Sequence, residues 1–393
     1  MSNNRNERIL SNARIVTSGR VFPGTLVVRG GRIADMDEGR SHLLQAEDLG
    51  GDYLLPGLVE LHTDNLEKHM TPRPGVDWPS KSAVLTHDAQ IVASGITTVF
   101  DALSIGEVNP KTRRLEKLPA MLEVIQGASQ RGETRADHRL HLRCEVSHPQ
   151  TLRIFQELVE NPLVRLVSLM DHAPGQRQFA KLEKYREYYQ GKYALTDEEI
   201  ETVISTQMEL SRRYSGATRA AIAHVCRERG LSMASHDDAT EEHVHEAAGF
   251  GMRIAEFPTT VQAALVSHKM GLSVLMGAPN IVRGKSHSGN VAAADLARHG
   301  VLDILSSDYY PASLLHASFL LAAQCGEGGG GERRSNSLPG AVAAVSLTPA
   351  RAAGLDDRGE IRVGLRADLI HVQAVCADHP VVRQVWREGE RVF

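Results

Sequence analysis

Short apolar runs broken by turn residues open this chain. Ile9 to Val16 alternates loosely, Thr25 to Val28 is β-branched and apolar, Gly30-Gly31 makes a turn, and Ile33 to Met36 and Tyr53 to Leu55 follow. No helical period appears in residues 7 to 56, so the pattern predicts strands. The end of the chain matches in kind. Asp368 to Val372 and Pro380 to Trp386 are strand-like, and Glu388-Gly389-Glu390 is a turn. Two all-β ends around a mixed middle predict that the termini meet in one small β-sandwich.

The middle alternates buried strands with helices. Strand candidates are Leu58 to Leu61, Gly95 to Asp101, Leu140 to Val146, Val164 to Asp171, Leu231 to His236, Ile254 to Phe257, Val274 to Gly277 and Leu302 to Ser307. Helices are predicted over Ser80 to Ser94 and Ala217 to Arg229. Thr196-Asp197-Glu198-Glu199 is a capping box that opens another. Such a series of strand–helix units predicts a (β/α)8 TIM-type barrel. An open doubly wound sheet is the alternative, but no strand is followed by G-x-G-x-x-G. The expected division is residues 1–56 for the N-terminal part of the sandwich, 57–350 for the barrel and 351–393 for the C-terminal part.

Composition narrows the class. A chain of 393 residues suits a large barrel with an appendage. A formal net charge of -4 excludes a global attraction to nucleic acid or an anionic membrane, so any anion must be caught locally. The polar start Met1 to Asn6 lacks the apolar core of a signal peptide, and no apolar run is long enough to span a bilayer. Cys144, Cys226, Cys325 and Cys376 are widely spaced without C-x-x-C, which points to a reducing cytoplasm. The glycine run within Cys325 to Glu332 lacks a following Lys-Ser/Thr and reads as a loop. A homo-oligomer is left open.

Candidate chemistry gathers where barrel strands end, the side on which such folds carry their sites. His62 and Asp64 stand two apart after an apolar run that enters through Pro56-Gly57, so both can face one ion. Other strand ends carry Asp101, Glu145, Asp171, His172, His236, Asp237, Asp238, Glu256 and Asp308. Each has a bland reading taken alone: Asp237 and Asp238 can cap a helix, and Asp101 can close a turn. Recurrence at successive strand ends argues for a metal, because acids and imidazoles are costly to bury unpaired. The expected ligands are His62, Asp64, Glu145, His172, His236 and Asp308. Six exceed the roughly four that one zinc takes, so two divalent ions are expected, zinc first, with manganese or iron also suited. Glu145 has the chemistry of a bridge, and Asp308 that of ligand and catalytic base. Cations lie nearby in sequence. Arg73, Arg143, Arg177, Arg283, Lys285 and His287 form the expected phosphate-binding set, with the last three in an Asn280 to Asn290 loop of Gly and Ser.

These stretches resemble the metal-dependent amidohydrolase superfamily and, more narrowly, its PhnM family of phosphonate metabolism. Pro56 to His69, Pro72 to Pro79, Arg143-Cys144-Glu145, Met170-Asp171-His172, Pro174 to Phe179, Gly277 to Asn290, Leu305 to Pro311 and Gly364 to Leu369 carry the likeness over essentially the whole chain. The resemblance implies hydrolysis of α-D-ribose 1-methylphosphonate 5-triphosphate to the 5-phosphate and pyrophosphate, in the carbon–phosphorus lyase pathway. A phosphorylated ribose is the implied small-molecule partner. The chain departs from the superfamily's first-strand His-x-His pair with His62-Thr63-Asp64. Two rivals remain: an amide or cyclic-amide hydrolase of the same superfamily, against which the cationic loop speaks, and a non-catalytic scaffold, against which the complete ligand set speaks.

Overall fold

The computed structural model describes residues 7–106, 114–177, 182–193, 195–286, 290–324, 337–374 and 379–393. The predicted His287 and the glycine run of 325–332 lie outside the described residues. Chain entry builds five strands: β1 Glu7–Val16, β2 Val21–Arg29, β3 Arg32–Glu38, β4 Ala46–Asp48 and β5 Tyr53–Pro56. Eight more follow: β6 Leu58–Thr63, β7 Ile96–Ile105, β8 Asp137–Glu145, β9 Val164–Met170, β10 Ser232–His236, β11 Ile254–Glu256, β12 Ser273–Gly277 and β13 Ile304–Ser306. The end adds β14 Leu369–Ala374, β15 Pro380–Arg387 and β16 Glu390–Arg391.

Strands β6 to β13 pair in parallel in chain order. An isolated parallel bridge between Thr63 and Asp308, where the Thr63 hydroxyl donates to the Asp308 carbonyl at 2.8 Å, joins the last strand to the first. This is the predicted barrel. All ten residues of β7 are buried, as expected of parallel strands covered on both faces, whereas β2 alternates buried and exposed positions. One apolar cluster contains Val59, Leu61, Phe100, Leu166, Ala234, Ile254, Leu275 and Ile304, drawn from every barrel strand except β8. Two residues further along their strands stand Ser168, His236, Glu256 and Ser306. The period of two thus stacks a polar layer on the apolar one.

Helices between the strands are α1 Asn65–Met70, α2 Ser80–Ala93, α3 Arg114–Gln130, α4 Thr151–Leu158, α5 Leu182–Tyr193, α6 Asp197–Glu228, α7 Glu241–Gly249, α8 Val261–Lys269, α9 Ala278–Arg283, α10 Ala293–His299, α11 Ser313–Gln324, α12 Leu338–Ala343 and α13 Leu347–Ala352. The reciprocal capping box of Thr196 and Glu199 starts α6 as expected. That helix runs for 32 residues, so Ala217 to Arg229 is its second half and not a separate element. The Asn280 to Asn290 stretch also departs from expectation. Its beginning belongs to α9, because Pro279 suits a first turn and Gly284, at φ 73°, ends the helix left-handed.

The terminal strands form one sheet, ordered β16-β15-β14-β5-β1-β2-β3 with β4 beside β1. The returning chain pairs β14 antiparallel to β5, Leu369 opposite Pro56. Leu10, Ile15, Leu26, Leu54, Leu369 and Trp386 make its core. Gly57 lets this sheet meet the barrel: a Cβ there would stand 2.2 Å from Thr97 Oγ1. Buried Arg358 clamps the junction, donating to Asp137 at 2.6 Å and to Thr98 at 3.0 Å.

Candidate metal centre

The strand ends bring the expected imidazoles together. His62 Nδ1 lies 3.1 Å from Glu256 Oε1, and His236 Nδ1 lies 3.2 Å from Glu256 Oε2. The two rings stack with centroids 5.8 Å apart. One fully buried carboxylate therefore orients both rings and leaves both Nε2 atoms for another partner. Burial lowers the pKa of His62 far below its usual value and that of His236 to about 3, so both imidazoles are neutral. A neutral imidazole is the form that binds a metal.

His172 completes the group from the end of β9. Its Nε2 lies 3.6 Å from Asp237 Oδ2, and His236 Nε2 lies 3.5 Å from the same oxygen. These gaps exceed hydrogen-bond length. They match the edge of a tetrahedral site, about 3.4 Å for bonds near 2.1 Å. His172, His236 and Asp237 thus fit one divalent ion. A second observation comes from Asp64, whose Oδ1 is buried without a hydrogen-bond partner among the described residues. An orphaned carboxylate oxygen is costly unless a cation meets it.

Glu145, one of the expected ligands, lies against His172. Its Oε2 lies 2.7 Å from His172 Nδ1, while Oε1 accepts from Ser147 at 2.8 Å and from the His172 amide at 3.1 Å. Both oxygens are engaged, so Glu145 here orients His172 as Glu256 orients the other two rings. A strand end reveals the acid but not which ring it faces. Burial lowers the His172 pKa, but the charges of Glu145 and Asp237 outweigh it and raise the value to about 10, so an ion at this ring would have to displace a proton.

Asp308 follows β13. Burial, then the charges of Asp64 and Glu60, raise its pKa to about 7, against the pull of Arg143 and Lys68. Glu60 is itself buried and raised to about 7 by desolvation, although it accepts from Ser306 and from the His62 amide, each at 2.6 Å. Asp237, Phe257 and Asp308 adopt φ of 56°, 52° and 54°. Left-handed backbone costs about 1–3 kcal/mol per residue outside glycine. That it recurs after three barrel strands marks these turns as shaped for the site.

The cations divide. Arg143 stands on β8 between His141 and Glu145, half-buried, and its Nε is buried without a partner among the described residues. Arg177, also in the expected phosphate set, is already paired. It is 3% exposed, bonded to Asp238 and, at 2.9 Å, to Glu246, so two acids already hold its guanidinium. Arg73, Arg283 and Lys285 are exposed. Of the other strand-end acids, Asp171 accepts from Ser211 at 3.1 Å.

Asp101 joins a second buried cluster away from the centre. His87 Nε2 lies 2.7 Å from Asp101 Oδ1, His138 Nδ1 lies 2.7 Å from Oδ2, and His138 Nε2 lies 3.3 Å from Asp88. The atoms are matched as hydrogen-bond partners, which is the bland reading of a buried histidine. Sequence reasoning left three residues without their role: Glu256 and Asp237, visible only as strand-end acids, and Glu60, whose sole signal is a carboxylate inside an apolar run.

The chain belongs to the amidohydrolase family, whose model matches residues 96–393. Over 387 residues it is 54% identical to the α-D-ribose 1-methylphosphonate 5-triphosphate diphosphatase of Escherichia coli (strain K12), covering 98% of this chain and 100% of that protein. Its fold is similar to that of N-acetyl-D-glucosamine-6-phosphate deacetylase from Mycobacterium smegmatis, at TM-score 0.62 and 18% identity over 98% of this chain and 100% of the other. It is equally similar to 5-methylcytosine deaminase from Klebsiella pneumoniae, at TM-score 0.62 and 16% identity over 98% of both chains. Among the described residues no helix is long and apolar enough to cross a membrane.

Proposed function

We propose that this chain is a metal-dependent diphosphatase that hydrolyses α-D-ribose 1-methylphosphonate 5-triphosphate to the 5-phosphate and pyrophosphate. The likeness to the Escherichia coli enzyme supports the substrate. The observation that carries the reading within the site is Arg143, a guanidinium without an acid partner among the described residues, beside neutral imidazoles and orphaned Asp64. A neutral cyclic amide needs no such cation, whereas a polyphosphate does.

His62, Asp64, His172, His236 and Asp308 would hold two divalent ions, zinc first, with Asp237 sharing the ion between His172 and His236. Glu145 serves by orienting His172. Bound divalent ions supply Lewis acidity and a water acidified toward neutral pH. Asp308 takes the proton of the attacking water. The water oxygen bonds to phosphorus as the bridging P–O bond to pyrophosphate breaks. Arg143 neutralises charge on the phosphoryl group, and Arg73, Arg283, Lys285 and His287 hold the leaving diphosphate. Arg177 takes a structural role.

The same reading divides the chain at 1–56, 57–350 and 351–393 and sets the enzyme in the cytoplasm, acting on a small phosphorylated ribose without nucleic acid or membrane, alone or as a homo-oligomer. The test is an assay of purified, metal-loaded protein. Pyrophosphate release from the ribose triphosphate is expected. Activity on hydantoins or N-acyl amino acids without pyrophosphate release would overturn the reading.

A further inference from the structure

Lys68 lies one turn into α1, four residues after Asp64. Its ammonium reaches across the seam between the first and last barrel strands. There it donates to the carbonyl of Tyr309, the residue after Asp308, and sits 5.0 Å from the centre of the Tyr309 ring. Nearby cations are matched to acids: Arg114 to Glu67 at 3.0 Å and Lys117 to Asp77 at 2.7 Å. Among the described residues Lys68 has no carboxylate within ion-pair distance. A carbonyl and a ring face position an ammonium without neutralising it, so its charge remains available to an anion. Its field reaches Asp308, as does that of Arg143 from β8.

We infer that Lys68 is a phosphate-binding residue that, opposite Arg143, contacts the phosphoryl group undergoing attack. The inference rests on the triphosphate reading above and adds a residue to it. Position separates this role from that of Arg283 and Lys285. Those cations follow β12 at the end of α9, whereas Lys68, although exposed like them, is tied to the backbone next to Asp308. Charge that develops on the attacked phosphoryl oxygens therefore meets Lys68, and its removal lowers kcat more than it raises KM.

Two measurements test this on metal-loaded full-length protein carrying Lys68→Met or Lys68→Arg. In steady-state kinetics, Lys68→Met is expected to lower kcat roughly a hundredfold while KM changes by less than about tenfold, and Lys68→Arg to recover at least about tenfold of the loss. In calorimetry, inorganic phosphate, which matches the attacked phosphoryl group, is expected to bind Lys68→Met about tenfold more weakly than wild type at unchanged metal content. A kcat within about twofold of wild type in Lys68→Met would overturn the inference. So would failure of arginine to rescue alongside unchanged phosphate affinity, which would leave Lys68 only the task of holding Tyr309. Should wild type release no pyrophosphate from the ribose triphosphate, the functional reading fails, and the binding measurement still judges Lys68.

Discussion

His236 and Asp237, adjacent in sequence, face each other side chain to side chain, Nε2 3.5 Å from Oδ2. Neighbours on an ordinary strand point to opposite sides. Here the left-handed φ of 56° at Asp237 turns its carboxylate back toward the imidazole. A strained residue that creates a ligand pair ties local backbone cost to function. Asp237→Ala should therefore weaken binding of one divalent ion by about tenfold to a hundredfold without relieving strain, since Ala suits the left-handed region no better than Asp. Metal titration followed by elemental analysis checks this; unchanged stoichiometry and affinity would remove Asp237 from the centre.

Glu256 holds Nδ1 of both His62 and His236. Glu256→Gln puts an amide donor against one of those nitrogens. That ring must then carry its proton on Nε2, the atom needed for the metal. Metal affinity should fall roughly tenfold to a hundredfold with little change of shape. Calorimetric titration of zinc into the metal-depleted variant reads the effect.

Asp308→Asn keeps the side chain's size but cannot take a proton. Turnover should fall by about 10²–10⁴-fold with the melting temperature largely preserved. Pyrophosphate release and a thermal melt on the same preparation are the measurements. Unchanged turnover would exclude Asp308 as the base.

Arg177 and Arg283, alike in sequence terms, should behave oppositely. Arg177→Met strands Asp238 in a buried site, a loss of about 3–5 kcal/mol, and should appear in denaturant unfolding. Arg283→Ala, exposed, should leave stability unchanged and raise KM for the triphosphate roughly tenfold, more than for a monophosphate.

The His138 cluster sets a pH dependence of stability. Burial lowers the His138 pKa, but Asp101 and Asp88 outweigh it and raise the value from 6.5 to about 10. A raised folded pKa means stabilisation that is complete below the unfolded value and is lost as pH rises toward about 10. Asp101 is held below its unfolded value, so its share is lost only as pH falls into the acid range. The gap in melting temperature between wild type and His138→Gln should accordingly be wider near pH 6 than near pH 9.5, roughly the two ends of that titration. An equal gap at both would show that His138 is neutral in the fold.

Much of the architecture was legible because its causes are local. The apolar strand runs, the Thr196 capping box and the β-branched termini each follow from a few consecutive residues, and the structure has all three. Two neighbouring details were less legible for the same reason. Nothing nearby marks Ala217 as the middle of a helix, and Pro279 is as much a turn signal as a helix start.

The site divides in the same way. Position at the C-terminal ends of parallel strands, read from the sequence alone, brings His62, His172, His236 and Asp308 to one end of the barrel. Only the tertiary structure decides that Glu145 and Glu256 face rings, that Asp237 turns inward, that Arg177 is held by Asp238, and that Arg143 and Lys68 stand outside any ion pair among the described residues. Those roles depend on which side chains from strands distant in sequence approach within about 3 Å, and a hydrogen bond across a barrel leaves no trace in spacing along the chain.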